Sequence, residues 1–285
     1  MADHSGVPAS HRRRQVYSLN VSFFQAMGRS ALAFIEYLGQ LGFLIQEIFI
    51  SLTRGQRRFK QMWEQVAEIG ARSQLVVCVT GAFTGAVLAA QTLFQFKLFG
   101  LETATGGLVS VAMLRELGPS ITGLMLAGRV GSAMAAEIGT MKVTEQIDAL
   151  RSMAVHPIDY LVTPRILAMT ISVPLLIAES AALGMIASYV VGVWVFKVEA
   201  AYWVDNMIKY VDLADVAIAL IKGLSFGLLI VIISCHQGLK ASNGAVGVGR
   251  GTTDAMVFSS LAILVVNFFL TLLMQIFFPA SLFSS

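Results

Sequence analysis

The sequence predicts an all-α integral membrane protein with an N-terminal interfacial amphipathic helix and five transmembrane helices. Three observations favour this fold class: 56% of the 285 residues are hydrophobic, only 13% are charged, and the mean hydropathy is +0.74. An ordinary soluble domain carries about 25% charged residues. A water-soluble fold of this length would have to expose much of its apolar surface, so a membrane protein is the better class.

The N-terminal part of the chain divides into a basic tail and an amphipathic segment. Residues 1–19 are polar and basic, which predicts a disordered cytoplasmic tail. Residues 20–54 place a narrow polar stripe opposite a broad apolar face at the helical period. This pattern predicts a helix that lies in the membrane interface. The alternative is a first transmembrane helix, which Arg29, Glu36 and Glu47 disfavour because charges inside a membrane are expensive.

The rest of the chain, residues 73–279, contains five apolar segments long enough to cross a bilayer. Residues 73–96 carry no charge and would extend about 36 Å as a helix. Thr163 and Pro164 are favourable N-cap and first-turn residues for a later span. A Gly-rich loop is predicted over residues 239–253. The predicted spans are 73–97, 106–138, 165–196, 216–238 and 255–279, with short amphipathic helices at 142–153 and 199–212.

The distribution of Lys and Arg predicts the orientation. Nine of the 20 basic residues lie in residues 1–72, and basic residues near span ends favour the cytoplasm. An N-in, C-out arrangement leaves only Lys97, Lys197 and Lys209 outside, which makes 199–212 a periplasmic helix. The basic N-terminal segment lacks interleaved aromatic residues and any nucleic-acid-binding motif, so no nucleic-acid partner is predicted.

The segment MLRELGPS, residues 113–120, places two charges and a proline inside the second predicted span. Neighbouring residues on a helix point about 100° apart, so Arg115 and Glu116 cannot pair as i,i+4 residues would. Each therefore needs a partner on another helix or in a water-filled cavity. The alternative is a loop between two shorter helices. We favour a buried functional site with a kink at Pro119.

Small residues recur at helical spacing in two segments. Gly81 and Gly85 in the first span, and Gly128, Gly131 and Ser132 in the second, predict close helix–helix approach. The amphipathic helix at 142–153 suits either docking to a partner or packing on its own protein. The roles of Arg129, Glu137 and Glu179 stay open.

Sequence patterns also disfavour several kinds of catalytic site. No Gly-Lys dipeptide occurs, which excludes ATP hydrolysis through a Walker A motif. The Gly-rich stretch after residue 243 follows no strand, so it does not predict a dinucleotide site. Two cysteines in apolar segments and four scattered histidines offer no metal-ligand spacing. We therefore predict no metal, no cofactor and no catalytic residue, as expected of a protein that is not an enzyme.

Four stretches resemble the MlaE/YrbE family of ABC-transporter permeases. They are LRELGP (114–119), TGLMLAGRVGSAMAAEIGTMKVTEQIDAL (122–150), HPIDYLVTPR (156–165) and GVGRGTTDAMVFSS (247–260), and the resemblance runs from about residue 20 to residue 280. It implies a homodimeric permease in the inner membrane of a Gram-negative bacterium. Such a permease would move phospholipids between that membrane and a periplasmic ring of MCE-domain proteins, and so maintain outer-membrane lipid asymmetry.

The resemblance also implies roles for particular residues. Arg115 and Glu116 match the charges of the LRELGP motif, and Lys222 matches a lysine of the fourth span; these residues would line a lipid cavity. Asn267 stands where some relatives carry aspartate, which leaves Glu116 as the more plausible partner of Lys222. The segment 142–153 matches the coupling helix that binds a cytoplasmic ATPase. That ATPase would bind the ATP and often carries a STAS-domain protein. The implied coupling residues are Glu145, Gln146, Ile147, Asp148 and Leu150.

Two other functions are weighed against this interpretation. Glu116, Glu179 and Lys222 within predicted spans would suit a proton-coupled secondary transporter or channel. Such a protein often contains two repeated halves, and the sequence shows no internal repeat. An intramembrane enzyme would need a convergent nucleophile or metal set, which the sequence does not offer.

Overall fold

The computed structural model describes residues 28–29, 32, 35–53 and 59–277. The predicted tail (1–19) and most of the first part of the predicted interfacial helix lie outside the described residues. Within them, all regular secondary structure is helical. The α-helices are α1 (Ile35–Thr53), α2 (Phe59–Lys97), α3 (Thr105–Ala112), α4 (Gly118–Leu126), α5 (Ser132–Val143), α6 (Gln146–Ser152), α7 (Thr163–Val190), α8 (Ala200–Tyr210), α9 (Leu213–Leu239) and α10 (Gly244–Phe277).

Five of the described helical segments are long and apolar enough to cross a membrane. They are Ile35–Thr53, Phe59–Lys97, Ile158–Val195, Leu213–Leu239 and Gly244–Phe277. This confirms an all-α membrane protein, but the set differs from the predicted spans in two places. It includes α1, which was predicted to be interfacial, and it omits residues 106–138. The orientation, and the choice between a spanning and an interfacial α1, stay predictions.

The predicted second span is a continuous helix whose hydrogen-bonding register changes twice. Helices α3, α4 and α5 are joined by π-helical segments at Met113–Leu117 and Ala127–Gly131. Each register change ends an α-helical stretch, so none of α3, α4 and α5 alone is long enough to span a bilayer. The loop alternative for MLRELGPS is wrong, since these residues are helical and Met113 and Leu114 are buried. Such π segments occur frequently at functional sites.

Several predicted boundaries are corrected by the structure. Helix α2 begins at residue 59, well before the predicted span. Helix α10 begins at Gly244 rather than at 255, so most of the predicted Gly-rich loop is helical. Glycine lowers helix propensity, but Gly247 allows a close backbone contact: a β-carbon there would overlap the Ser242 carbonyl. The turn before α10 is confined to a few residues, with positive φ at Asn243 and Gly244.

Helices α2 and α7 pack closely through small residues. A β-carbon on Gly81 would overlap Ser180, and one on Gly85 would overlap the backbone of Gly184. A β-carbon on Gly131 would lie 2.9 Å from Ser234 Oγ of α9.

Gly128, a member of the predicted packing set, makes no such approach to the described residues. A β-carbon on Gly128 would have only Met256 Sδ nearby, at 3.8 Å, so its assignment to close packing within the chain is corrected. Ser132 directs its hydroxyl back to the Gly128 carbonyl of its own helix, and its packing role stays a prediction. Trp203 is fully buried where α8 packs on α3.

We predict that Gly85→Leu destabilises the protein strongly. The added side chain would force α2 away from Gly184, and overpacking of this kind costs typically about 1–3 kcal/mol. The matched control is Gly70→Leu on the same helix, because nothing lies within 4 Å of a β-carbon there. Thermal unfolding in detergent compares the two variants. Equal melting temperatures would contradict a closely packed α2–α7 contact.

Candidate functional site

A buried lysine of α9 connects the MLREL segment to α10. Lys222 is only 1% exposed. Its ammonium donates hydrogen bonds to Glu116 Oε1 at 2.8 Å, to the Arg115 carbonyl oxygen at 2.6 Å and to Thr271 Oγ1 at 2.9 Å. An ammonium has three donors, so all of them are used. Lys222 and Glu116 therefore form the ion pair that the sequence favoured.

The carbonyl that Lys222 contacts is available because of Pro119. In an α-helix the Arg115 carbonyl would accept from the N–H four residues later, but Pro119 has no N–H. In the π-helical turn, the Gly118 N–H donates to the Met113 carbonyl, five residues earlier. Lys222 thus donates to the Arg115 carbonyl oxygen, which lacks its α-helical donor. The proline and the neighbouring charges of MLRELGPS belong to one site.

Two side chains of helix α10 also contact the Glu116 carboxylate. Asn267 Nδ2 donates to Glu116 Oε2 at 3.1 Å, and Thr271 Oγ1 lies 2.8 Å from Glu116 Oε1. An aspartate at position 267 would place a second carboxylate beside Glu116, whereas asparagine supplies a donor. Sequence reasoning missed Thr271. It lies one helical turn after Asn267 and therefore on the same face.

Arg115 has a different partner, at the start of α9. Its Nε forms an ion pair with Asp215 Oδ1, and Asp215 is 1% exposed. The other oxygen, Oδ2, accepts from the Asp212 N–H at 2.9 Å in a capping box. Sequence reasoning also missed Asp215. The available signal was the Asp-x-x-Asp spacing at the start of an apolar segment, which is typical of a helix N-terminus.

The predicted coupling segment is not one helix: it begins with the last residues of α5 and continues as α6, which follows Glu145 with a positive φ. Glu145, Gln146 and Asp148 are exposed and Leu150 is half-buried. Ile147 is fully buried in its own chain, so it anchors α6 and does not offer its side chain to a partner. The prediction of Ile147 as a residue that contacts the ATPase is therefore corrected.

Two further acidic residues have partners that the sequence left open. Glu137 Oε2 lies 2.7 Å from Arg165 Nη2, which ties α5 to the start of α7. Glu179 Oε1 accepts from Gln74 Nε2 at 2.9 Å and from Cys78 Sγ at 3.1 Å. Among the described residues, no group of three His, Cys, Asp or Glu side chains is placed to hold a metal ion.

The Lys222 site, comprising Arg115, Glu116, Asp215, Lys222, Asn267 and Thr271, is formally neutral. It holds two cations and two carboxylates among otherwise apolar helices. Within this site Glu116 is accessible from outside, because 38% of its side chain is exposed. Interactions between charges are stronger in such an environment than in water, so the site can hold or exchange an ionic group.

Comparison with known proteins identifies the family. The family described as Permease MlaE matches residues 62–273. A probable ABC transporter permease protein of Synechocystis sp. is 40% identical over 232 residues, 81% of this chain and 88% of that protein. The intermembrane phospholipid transport system permease protein MlaE of Haemophilus influenzae is 34% identical over 257 residues, 89% and 98% of the two chains. The Arabidopsis thaliana chloroplastic protein TRIGALACTOSYLDIACYLGLYCEROL 1 is 35% identical over 225 residues, 79% and 64%. The resemblance noted in the sequence is thereby confirmed: the chain belongs to the MlaE permease family.

Proposed function

We propose that this permease is the membrane subunit of an ABC-type phospholipid transporter. It would move lipids between the inner membrane of a Gram-negative bacterium and periplasmic MCE-domain proteins, and so maintain outer-membrane lipid asymmetry. The observation that carries the proposal is the Lys222 site, where paired charges are buried among apolar helices. The name of the Haemophilus relative, an intermembrane phospholipid transport permease, supports the same substrate class.

The site suits exchange of a phosphate for a carboxylate. Lys222 and Arg115 already have acidic partners, so a headgroup phosphate would compete with Glu116 for the Lys222 ammonium. The exposed edge of Glu116 gives the headgroup access to this pair. Leu117, the next residue, lines a groove of about 390 Å³ together with Phe83, Val87 and Leu88 of α2. Its apolar wall would accept an acyl chain.

The partners follow from the same proposal. A cytoplasmic ABC ATPase would bind and hydrolyse ATP and would dock on the exposed face of α6, formed by Glu145, Gln146 and Asp148 beside Leu150. A STAS-domain protein would bind that ATPase. A second copy of the permease would close the lipid cavity. The permease itself would need no cofactor.

We predict that Glu116→Gln raises phospholipid capture in the assembled complex by about tenfold, because the neutral amide competes less with the headgroup phosphate for the Lys222 ammonium, and a charged hydrogen-bonded pair contributes roughly 1.5–3 kcal/mol. The measurement uses a photo-crosslinking amino acid at Val87 and cells labelled with ³²P. The amount of labelled adduct is compared with that of the parent and of Glu199→Gln, an exposed glutamate beside α8.

Unchanged labelling in Glu116→Gln would contradict the assignment of the Lys222 site. A parallel assay separates the transporter classes. Lipid transfer by the reconstituted complex should require ATP. Transfer that ignores ATP and follows the pH gradient would instead support a proton-coupled secondary transporter.

A further inference from the structure

A second charged cavity lies between α2 and the helix that carries Arg129. Its volume is about 160 Å³. Four charged side chains line it: Glu68 and Arg72 from α2, Arg129 from the second π-helical segment, and Glu137 from α5. The rest of the wall is mainly apolar and includes Ile69, Val130, Ala133 and Met134.

Three of the four charges have partners, and Arg129 does not. Glu68 pairs with Arg72 at 2.7 Å, and Glu137 pairs with Arg165 at 2.7 Å. Arg129 forms no ion pair with any described residue, and its Nη1 is enclosed without a hydrogen-bond acceptor. An enclosed polar group without a partner costs free energy. The cavity therefore presents one uncompensated guanidinium, which an anion would satisfy.

This cavity and the Lys222 site lie at different depths along the same helix. Arg129 follows Arg115 by fourteen residues, which corresponds to roughly 21 Å at 1.5 Å per residue. The hydrocarbon core of a bilayer is about 30 Å thick. The two sites are therefore separated by most of one membrane thickness. Arg129 lies on the α6 side of the middle of this helix, which ends at Val143, so the cavity faces the α6 side of the membrane.

We propose that this cavity binds the phosphate of a phospholipid headgroup from the leaflet on the α6 side, with Arg129 as its anion ligand. A guanidinium binds phosphate oxygens in a bidentate fork. The apolar wall from Ile69 to Met134 accommodates the glycerol and the first methylenes of the lipid. The inference rests on the proposed function and adds to it a lipid site that is distinct from the Lys222 site.

The test places the photo-crosslinking amino acid at Ala133 in one protein and at Val87 in another. Each full-length permease is purified with its partner subunits from ³²P-labelled cells after irradiation. We expect labelled phospholipid at both positions. Arg129→Ala should lower the Ala133 adduct about tenfold and leave the Val87 adduct unchanged. Arg129→Lys should retain part of the adduct because it keeps the charge, and Arg151→Ala, on exposed α6, should retain all of it.

The two positions separate failure of this inference from failure of the proposed function. Label at Val87 but not at Ala133, or an Ala133 adduct that is insensitive to Arg129→Ala, would overturn the second site alone. Loss of label at both positions in the unsubstituted protein would overturn the lipid assignment as a whole. In a parallel arm, millimolar inorganic phosphate is added to the purified complex before irradiation. An Ala133 phospholipid adduct that still forms supports a lipid headgroup as the ligand; if no adduct forms, the cavity binds free phosphate in preference and the lipid proposal is wrong. Full Val87 labelling in Arg129→Ala also shows that this variant is folded.

Discussion

Lys222→Met is expected to lower the free energy of unfolding by about 3 kcal/mol and to abolish lipid capture at the Lys222 site. Removing one partner of a buried ion pair costs roughly 3–5 kcal/mol because the other charge is left uncompensated. The lower end applies here, since Glu116 is partly exposed and keeps its contacts with Asn267 and Thr271. The Arg115 carbonyl also loses its hydrogen bond from Lys222.

The double variant Lys222→Met/Glu116→Gln distinguishes a lost charge pair from a lost side-chain volume. Methionine has a similar length and suits an apolar environment. If the unpaired charge of Glu116 causes the loss, neutralising it should recover most of the stability but none of the lipid capture. Lys209→Met, on exposed α8, is the matched control and should unfold as the parent does. SDS titration in mixed micelles gives the free energies. A double variant as unstable as Lys222→Met would contradict this account.

The sequence alone was sufficient to predict the helical membrane class and part of the Lys222 site. Arg115 and Glu116 are adjacent and must point in different directions on a helix, so separate partners followed from geometry. The pairing of Lys222 with Glu116 followed from the family resemblance, because asparagine stands at position 267 where some relatives carry aspartate. Asp215 was missed because it lies just before the predicted fourth span, where an acid is ordinarily a helix cap. Only the packing of α9 against the MLREL segment turns that cap toward Arg115.

The remaining differences have a common physical origin. Local propensity favours a loop where glycines are frequent, but at Gly247 of α10 a close contact with the Ser242 backbone makes glycine the residue that fits. The π-helical turn at Met113–Leu117 is equally hidden, since its Arg115 carbonyl accepts a hydrogen bond from Lys222 of another helix. Ile147 is a further example. The amphipathic pattern of residues 142–153 fitted either a docking face or a helix packed on its own protein, and in the structure Ile147 is buried within the chain.

Asp215→Ala is expected to be the most destabilising single change in the Lys222 site, at about 4–6 kcal/mol. The variant loses one half of the capping box, for which the cost is about 1 kcal/mol. It also leaves Arg115 without its carboxylate, and Arg115 is only 15% exposed; an uncompensated charge of this kind costs roughly 3–5 kcal/mol.

Asp212→Ala separates the two contributions of Asp215. It removes the other half of the capping box but leaves the Arg115–Asp215 ion pair in place, so we expect a loss of only about 1 kcal/mol. Arg115→Met/Asp215→Ala should then be more stable than Asp215→Ala alone, because no unpaired charge remains. If Asp212→Ala and Asp215→Ala unfold at the same SDS concentration, Asp215 serves only as a helix cap. In that case the charge of Arg115 must be balanced by a group outside the described residues.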